Sequence, residues 1–265
     1  MTWIHGTTSA GVPYSARAAT RPEAPIVVGW HLLDPPTTPA GMAAALPLDG
    51  LDAHVIYLGL PLSGERAPHP DFEALLTSGI DMVTEFFGPM HEQALDEFPA
   101  ALDELRGTLG ASDASALAVL GGSAGASVAA EVFATHAASH RIVACVLLNP
   151  MLQLRPMIDA MAEFLPSPYA WSPAAEAVAA RMDFVARAPE LSHDRLLIVE
   201  GSDDELHFIA AVRELERLRV GEVRFVDGVA HPLAAWPEDP TAERTEGAKT
   251  YDRIAAEWIA EATAA

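Results

Sequence analysis

Three short stretches of the chain carry the residue types that chemistry on an acyl group requires. In the first, Gly121-Gly-Ser-Ala-Gly, one serine stands among glycines, after the apolar run Leu117 to Leu120 and before small residues with Val128 and Val132 on one helical face. A strand that turns sharply into a helix needs its corner free of side chains, which Gly121 and Gly125 provide. Ser123 then stands clear at the end of a sheet. The amide of Ala124 points from the first helical turn toward the same spot, where the helix dipole favours developing negative charge. The competing reading is a glycine-softened turn, and the strand before it and helix after it favour the nucleophile.

A serine hydroxyl is a poor nucleophile at neutral pH and needs a base, usually a histidine that a buried carboxylate holds in the right tautomer. Two loops offer both. Asp204 lies in Gly201-Ser-Asp-Asp-Glu, directly after the apolar Leu196-Leu-Ile-Val, and His231 ends Gly228-Val-Ala-His, after the strand-like Glu222 to Val226. The chain order is serine, acid, histidine, each just past a strand. Asp203 competes with Asp204 for the acid role, its alternative being a turn or capping residue. His31 fits either a pocket rim or a plain hydrogen-bonded histidine. His136 and His140 share a helical face, but no third ligand accompanies them, so no metal site is expected.

These residues need a scaffold that brings strand ends together. Apolar runs at Ile26 to Trp30, Val55 to Leu60, Leu117 to Leu120, Ile142 to Leu148 and Leu196 to Val199 alternate with helical patterns. Such alternation predicts an α/β fold with a mainly parallel, doubly wound sheet and its chemistry at the carboxyl ends of the strands. Segments around Thr2 to His5 and Val12 to Ala18 predict an N-terminal hairpin. From Ile80 to Leu109 a stripe of Leu95, Phe98, Leu102 and Leu105 predicts a helix that Pro89 and Pro99 split or kink. Phe208, Val212 and Leu215 mark a helix that Gly221 stops, and Tyr251, Ile254 and Trp258 a closing one. Residues 149–191, rich in Met, Pro and Ala, break the rhythm and read as a small helical cap insertion within a single domain spanning 1–265. Met151, Met157, Met161, Phe164 and Tyr169 there either line an apolar acyl pocket or only pack the insertion onto the sheet.

Composition narrows the partners. The chain has 265 residues, half of them hydrophobic, and a net charge of −21, which repels nucleic acid and anionic membranes. Lys249 is its only lysine, so no Gly-Lys-Ser/Thr phosphate loop exists. The lone Cys145 excludes an internal disulfide framework. With no secretory pattern at Met1 and no run of membrane-spanning length, a soluble, cytoplasmic protein is expected.

Together, Gly121-Gly-Ser-Ala-Gly, Gly201-Ser-Asp-Asp-Glu and Gly228-Val-Ala-His resemble the α/β-hydrolase superfamily, and more closely its prolyl-oligopeptidase-like and dienelactone-hydrolase-like serine hydrolases, from about Ile26 to the end. The resemblance implies a serine hydrolase of carboxylesterase type, with Ser123, Asp204 and His231 as triad, acting without a cofactor on a small or medium apolar ester. The family's Gly-x-x-Asp spacing selects Asp204 over Asp203. Where the family usually has His-Gly, this chain has Trp30-His-Leu-Leu. Leu32 is therefore the expected second oxyanion donor beside Ala124, with Leu33 next, and Leu33, Met161 and Phe164 are the expected substrate contacts. An amidase or small-peptide hydrolase is the alternative within the same chemistry. A non-hydrolytic acyltransferase, a lyase or a ligand-binding protein is the alternative on the same fold.

Overall fold

The computed structural model describes residues 2–69, 72–136, 140–161, 168–191, 194–236 and 238–264, with 72 and 73 described by backbone only. Five strands are apolar at nearly every position instead of alternately, as strands covered on both faces must be. They are β3 (Ile26–Trp30), β4 (His54–Leu58), β5 (Leu117–Gly122), β6 (Ile142–Leu148) and β7 (Leu196–Gly201). With β1 (Ile4–Thr7), β2 (Pro13–Arg17) and β8 (Glu222–Val226) they form one eight-stranded sheet in the order β1-β2-β4-β3-β5-β6-β7-β8. The hairpin β1–β2 and the pair β2–β4 are antiparallel, and every other pair is parallel. The chain winds outward from β3 in one direction and from β5 in the other, which opens a crevice at the carboxyl ends of these two neighbours.

Side-chain alternation divides the core between two faces. Ile26, Val28 and Trp30 point to one, with Phe98, Leu102 and Leu105 of α3 (Gly88–Leu109), Val128 and Phe133 of α4 (Ala124–His136) and Val212 and Leu215 of α8 (Leu206–Leu218). Val27 points to the other, with Met42 of α1 (Pro39–Ala45) and Tyr251, Ile254 and Ile259 of α9 (Glu246–Ala264). The helix expected to break at its prolines does not break at Pro99. Pro89 lies in the first turn of α3, where its missing N–H costs nothing, just after a π-helical turn over Met82–Phe87. Pro99 sits inside an uninterrupted α3, where the fully buried Phe98, Leu102 and Leu105 offset the lost backbone hydrogen bond. Helix α8 ends differently from expectation as well. Arg219, at φ +58, is its left-handed cap, and Gly221, at φ +69, turns the chain into β8.

The longest excursion from the sheet, between β4 and β5, carries α2 (Phe72–Thr77) and α3, and the next longest lies between β6 and β7. It carries α5 (Leu154–Ala160), α6 (Pro173–Arg181) and α7 (Ala188–Leu191), closed by a bridge between Gln153 and Asp183. Ser172 caps α6 by accepting from the Ala175 amide, with Pro173 at the first helical position.

The joint between β5 and α4 leaves no room for a side chain at Gly125. A Cβ on Gly125 would collide with the carbonyl groups of Trp30 and His31 at the end of β3. Backbone cannot swing aside as a side chain can, so Gly125→Ala is expected to cost at least the 1 to 3 kcal/mol typical of overpacking. A melting curve beside wild type checks this, and an unchanged Tm would mean that β3 and α4 are further apart than described.

Candidate active site

Ser123 follows the last residue of β5 with φ +50, a left-handed conformation that L residues seldom take. Its backbone is held on three sides. The N–H donates to Leu148 O (3.0 Å), and the carbonyl accepts from the amides of Ala126 (3.0 Å) and Met151 (3.1 Å). These bonds offset the strain and aim the hydroxyl across the crevice, where Oγ lies 2.8 Å from Nε2 of His231. Nδ1 of the same ring is 2.9 Å from both carboxylate oxygens of Asp204. The imidazole also stacks on Phe208, with ring centroids 4.4 Å apart and planes 16° from parallel. Asp203, by contrast, is exposed, and its carboxylate accepts from the Ser202 hydroxyl. The structure thus brings Ser123, His231 and Asp204 together and leaves Asp203 in the turn.

Burial alone would keep the ring neutral. The hydrogen bond and charge of Asp204, followed by the charges of Asp34 and Glu205, hold His231 above its ordinary 6.5. Burial likewise opposes ionisation of Asp204, but the hydrogen bonds from His231 and Glu205 take its carboxyl below the usual range. A bidentate carboxylate on Nδ1 leaves Nε2 as the proton acceptor facing Ser123.

The oxyanion assignments divide. Among the described residues the Ala124 amide has no acceptor, as befits the first residue of a helix. Leu32 departs from expectation: its N–H donates to Pro36 O (3.1 Å), and its side chain fills the space beside Gly122. A committed amide cannot also receive an oxyanion. The amide of Leu33, one residue on, has no acceptor among the described residues. His31 fixes this corner. Its ring bonds the Leu32 carbonyl through Nδ1 (2.6 Å) and accepts from the Leu60 amide at Nε2 (3.0 Å). Burial drives its pKa down to about 4, so it serves as a neutral clamp between the loops after β3 and β4.

A cavity of about 580 Å³ opens from this corner, with Leu33, Leu62, Leu75, Phe86 and Trp236 among its walls beside the polar Asp34, Thr37, Thr38, Ser63, Glu65 and His69. Asp34 Oδ2 is 4.0 Å from His231 Nε2. Among the described residues the cavity walls come from the loops after β3, β4 and β8, from α2 and from the π-helical turn, and none comes from the 149–191 excursion. Met161 packs, half-buried, against the core on that excursion, as Met151 and Met157 do, and none of the three lines the cavity. Phe164 lies outside the described residues. Tyr169 hydrogen-bonds Asp81 (2.7 Å), the cap of the π-helical turn.

Two buried polar residues were not singled out by sequence. Asn149, at φ +41, uses its whole side chain: Nδ2 donates to the carbonyls of Ala230 and His231, and Oδ1 accepts from the Gly201 amide and the Tyr251 hydroxyl. It therefore ties the histidine loop, the acid loop and α9 to the end of β6. The signal was an asparagine directly after a buried strand, a place where a left-handed residue is well tolerated. Glu200, next to last in β7, has no exposed surface. Burial, then the charge of Asp204, pushes it up to about 10, so it is neutral at pH 7.

Asp204, Glu205 and His231 offer ligand atoms within 4.8 Å of one another, a set a cation could use. Both ring nitrogens of His231 are already engaged, however, so a metal there would have to break the contact with Ser123 or Asp204. His136 and His140 stack edge to face and lie against Phe98.

Two measurements follow from these environments. In an NMR titration of the imidazole C–H signals, identified by their loss in His231→Asn, His231 is expected to titrate above 6.5, and Asp34→Asn to lower that midpoint. Glu200 is released near pH 4.5 in the unfolded chain but near 10 in the folded one. The stability it contributes is complete below 4.5 and is lost as pH rises toward 10. Glu200→Gln, neutral throughout, is expected to flatten the fall of Tm across this window and to melt above wild type at pH 8.

No protein-family model matches the sequence, and no curated protein matches it. Solved structures match along its whole length. TT1662 from Thermus thermophilus is 17% identical over 100% of both chains with a TM-score of 0.64. Est1E from Butyrivibrio proteoclasticus is 13% identical over 100% of both with a TM-score of 0.59. An esterase of Pyrobaculum calidifontis is 21% identical over 99% of this chain and 86% of its own, with a TM-score of 0.56. Identities this low speak for architecture alone, and with the strand order and the sharp turn at Ser123 they establish that the chain has the α/β-hydrolase fold.

Proposed function

We propose that the protein is a serine hydrolase of carboxylesterase type that cleaves a small or medium apolar ester through an acyl-enzyme. The observation that carries this reading is the unbroken line from Asp204 through His231 to the Ser123 hydroxyl, at 2.9 and 2.8 Å, with a cavity beside it whose Asp34 lies 4.0 Å from His231. In the first half-reaction Ser123 Oγ attacks the ester carbonyl carbon while its proton passes to His231 Nε2. The negative oxygen that forms is received by the amides of Ala124 and Leu33, Leu33 replacing Leu32 because its N–H is uncommitted. The intermediate collapses as His231 returns the proton to the departing alkoxide, leaving the acyl group on Ser123. Water, deprotonated by the same Nε2, then attacks the acyl carbon and releases the carboxylic acid. Asp204 keeps the imidazole in one tautomer and stabilises its cation. No step draws on a metal or cofactor. Helices α5, α6 and α7 are read as a cap that braces the π-helical turn through Tyr169 and not as the acyl wall.

A p-nitrophenyl ester series of increasing acyl length, run beside the matching anilides, tests the reading. Wild type is expected to hydrolyse the esters faster than the anilides and to be labelled by a fluorophosphonate. Ser123→Ala should lose both, with turnover falling roughly 10⁴-fold or more. Asp204→Asn should lower turnover by orders of magnitude, on the scale of about 10⁴ for a triad acid, and Asp203→Asn should change it little. Retained turnover in Ser123→Ala, or the opposite ranking of the two aspartates, would overturn the assignment.

A further inference from the structure

Leu62 is held in a conformation that its own residue type disfavours, at the wall of the cavity beside the triad. Among the described residues six that are not glycine have positive φ: Leu48, Leu62, Ser123, Arg141, Asn149 and Arg219. Five of them have a local hydrogen bond to set against the strain. Leu48 donates to Asp252, Arg141 accepts from Leu117, Arg219 caps α8, and Ser123 and Asn149 are bonded as described above. The backbone of Leu62, at φ +57, has no hydrogen-bond partner among the described residues. Uncompensated strain in a branched residue is the kind of outlier that clusters where a side chain must be aimed.

The surrounding loop keeps it there. The Leu60 amide is fixed by His31, and Arg66 is bound by two hydrogen bonds to Glu97 of α3 (2.7 and 2.6 Å) while also donating to the Gly59 carbonyl. Gly64, itself at φ +52, lies so close to Thr37 that a Cβ would strike the Thr37 carbonyl. Anchored on both sides, the backbone at Leu62 has little room to relax, and its side chain meets Leu33, Leu75 and Phe86 around the cavity. Among the described residues the ionisable groups at this wall are Asp34, Glu65 and His69, with no arginine or lysine. An anionic tail would therefore enter a pocket with two carboxylates and no fixed cation. Trp236, 76% exposed, stands at the mouth.

We propose that Leu62 is the residue that limits acyl-chain length, and that the cavity takes the uncharged, apolar acyl group of the ester. The inference rests on the hydrolase reading for the location of the scissile bond, and the cavity contacts can be read without any chemistry at Ser123. Leu62→Gly removes the side chain and suits a positive φ, so it is expected to keep or raise Tm. The kcat/KM ratio of the ten-carbon to the four-carbon p-nitrophenyl ester should rise at least tenfold. Leu62→Trp should lower that ratio. Binding of decanamide and butanamide, followed by tryptophan fluorescence with Trp236→Phe as the blank, should show the same change in preference. A half-ester whose acyl chain ends in a carboxylate should be turned over at least tenfold more slowly than the neutral ester of equal length.

An unchanged chain-length ratio in both Leu62 variants overturns the role of Leu62, as does a Leu62→Gly protein that melts lower with no change in preference. Parity between anionic and neutral tails overturns the uncharged pocket. If wild type hydrolyses no ester and takes no fluorophosphonate, the hydrolase reading fails, while the amide-binding preference still decides whether Leu62 governs chain length.

Discussion

The architecture turns on a steric constraint where α4 crosses the end of β3. The chain leaves β5, reverses at Ser123 and enters a helix whose second residue, Gly125, lies against the carbonyl groups of Trp30 and His31. That contact is possible only without a Cβ. It fixes three things at once: the height of the Ser123 hydroxyl above the sheet, the direction of the first free amide of α4, and the distance from that amide to the loop after β3. A looser joint would leave the hydroxyl and the two amides of a prospective oxyanion site free to drift apart. Sites of this kind depend on donors fixed before the charge develops, because reorganisation during the reaction would consume the gain.

Around this corner, buried polar groups do the positioning that apolar packing cannot. A leucine slides against its neighbours at little cost, whereas Asn149 meets four partners in fixed directions and so locks Gly201, Ala230, His231 and Tyr251 relative to β6. His31 does the same for the loops after β3 and β4, and burial keeps it neutral so that one nitrogen donates and the other accepts. Glu200 differs from these, a carboxyl that remains buried by keeping its proton. A second ionised carboxylate behind Asp204 would repel it in a low dielectric, so a neutral Glu200 leaves Asp204 as the only charge there that answers His231 from the interior.

The sheet was legible, and so was the meeting of Ser123, Asp204 and His231 at its strand ends, because both are written locally. A run such as Ile142 to Leu148, apolar at every position, has few readings other than a strand covered on both faces, and a glycine-flanked serine after such a run has few readings other than a sharp turn. Asp204 was separable from Asp203 by motif spacing, and the fold places one in the interior and the other in solvent. What failed depended on pairings between distant or backbone groups. Leu32 and Leu33 look alike in sequence, and only the hydrogen bond to Pro36 distinguishes them. The methionines at 151, 157 and 161 have the composition of a pocket wall, yet apolar side chains at helical spacing also suit packing, and packing is where they are found. Residues 62–69, which contribute much of the cavity wall, carry no periodic pattern that marks them for it. Arg219 ends α8 where Gly221 was expected because one left-handed residue suffices to stop a helix, and sequence alone does not say which of two close candidates takes that conformation.

The placement of charge gives the site its remaining character. A chain with 37 acidic and 16 basic side chains has an acidic surface almost everywhere, so acids near the cavity are unremarkable as composition. Their distances from His231 are a different matter. Asp204 contacts Nδ1 from the interior, Glu205 reaches within 3.7 Å of Nδ1, and Asp34 approaches Nε2 from the cavity side at 4.0 Å. The ring is thus the one positive centre available to three carboxylates once it takes a proton. That favours the imidazolium during proton transfer and also raises the pH below which the resting ring is already charged and useless as a base. Asp34 and Glu205 are both more than half exposed and screened by solvent, whereas Asp204 is buried against Nδ1. Burial alone therefore separates the one acid that holds the ring from the two whose pull on it varies with the ionic strength of the medium.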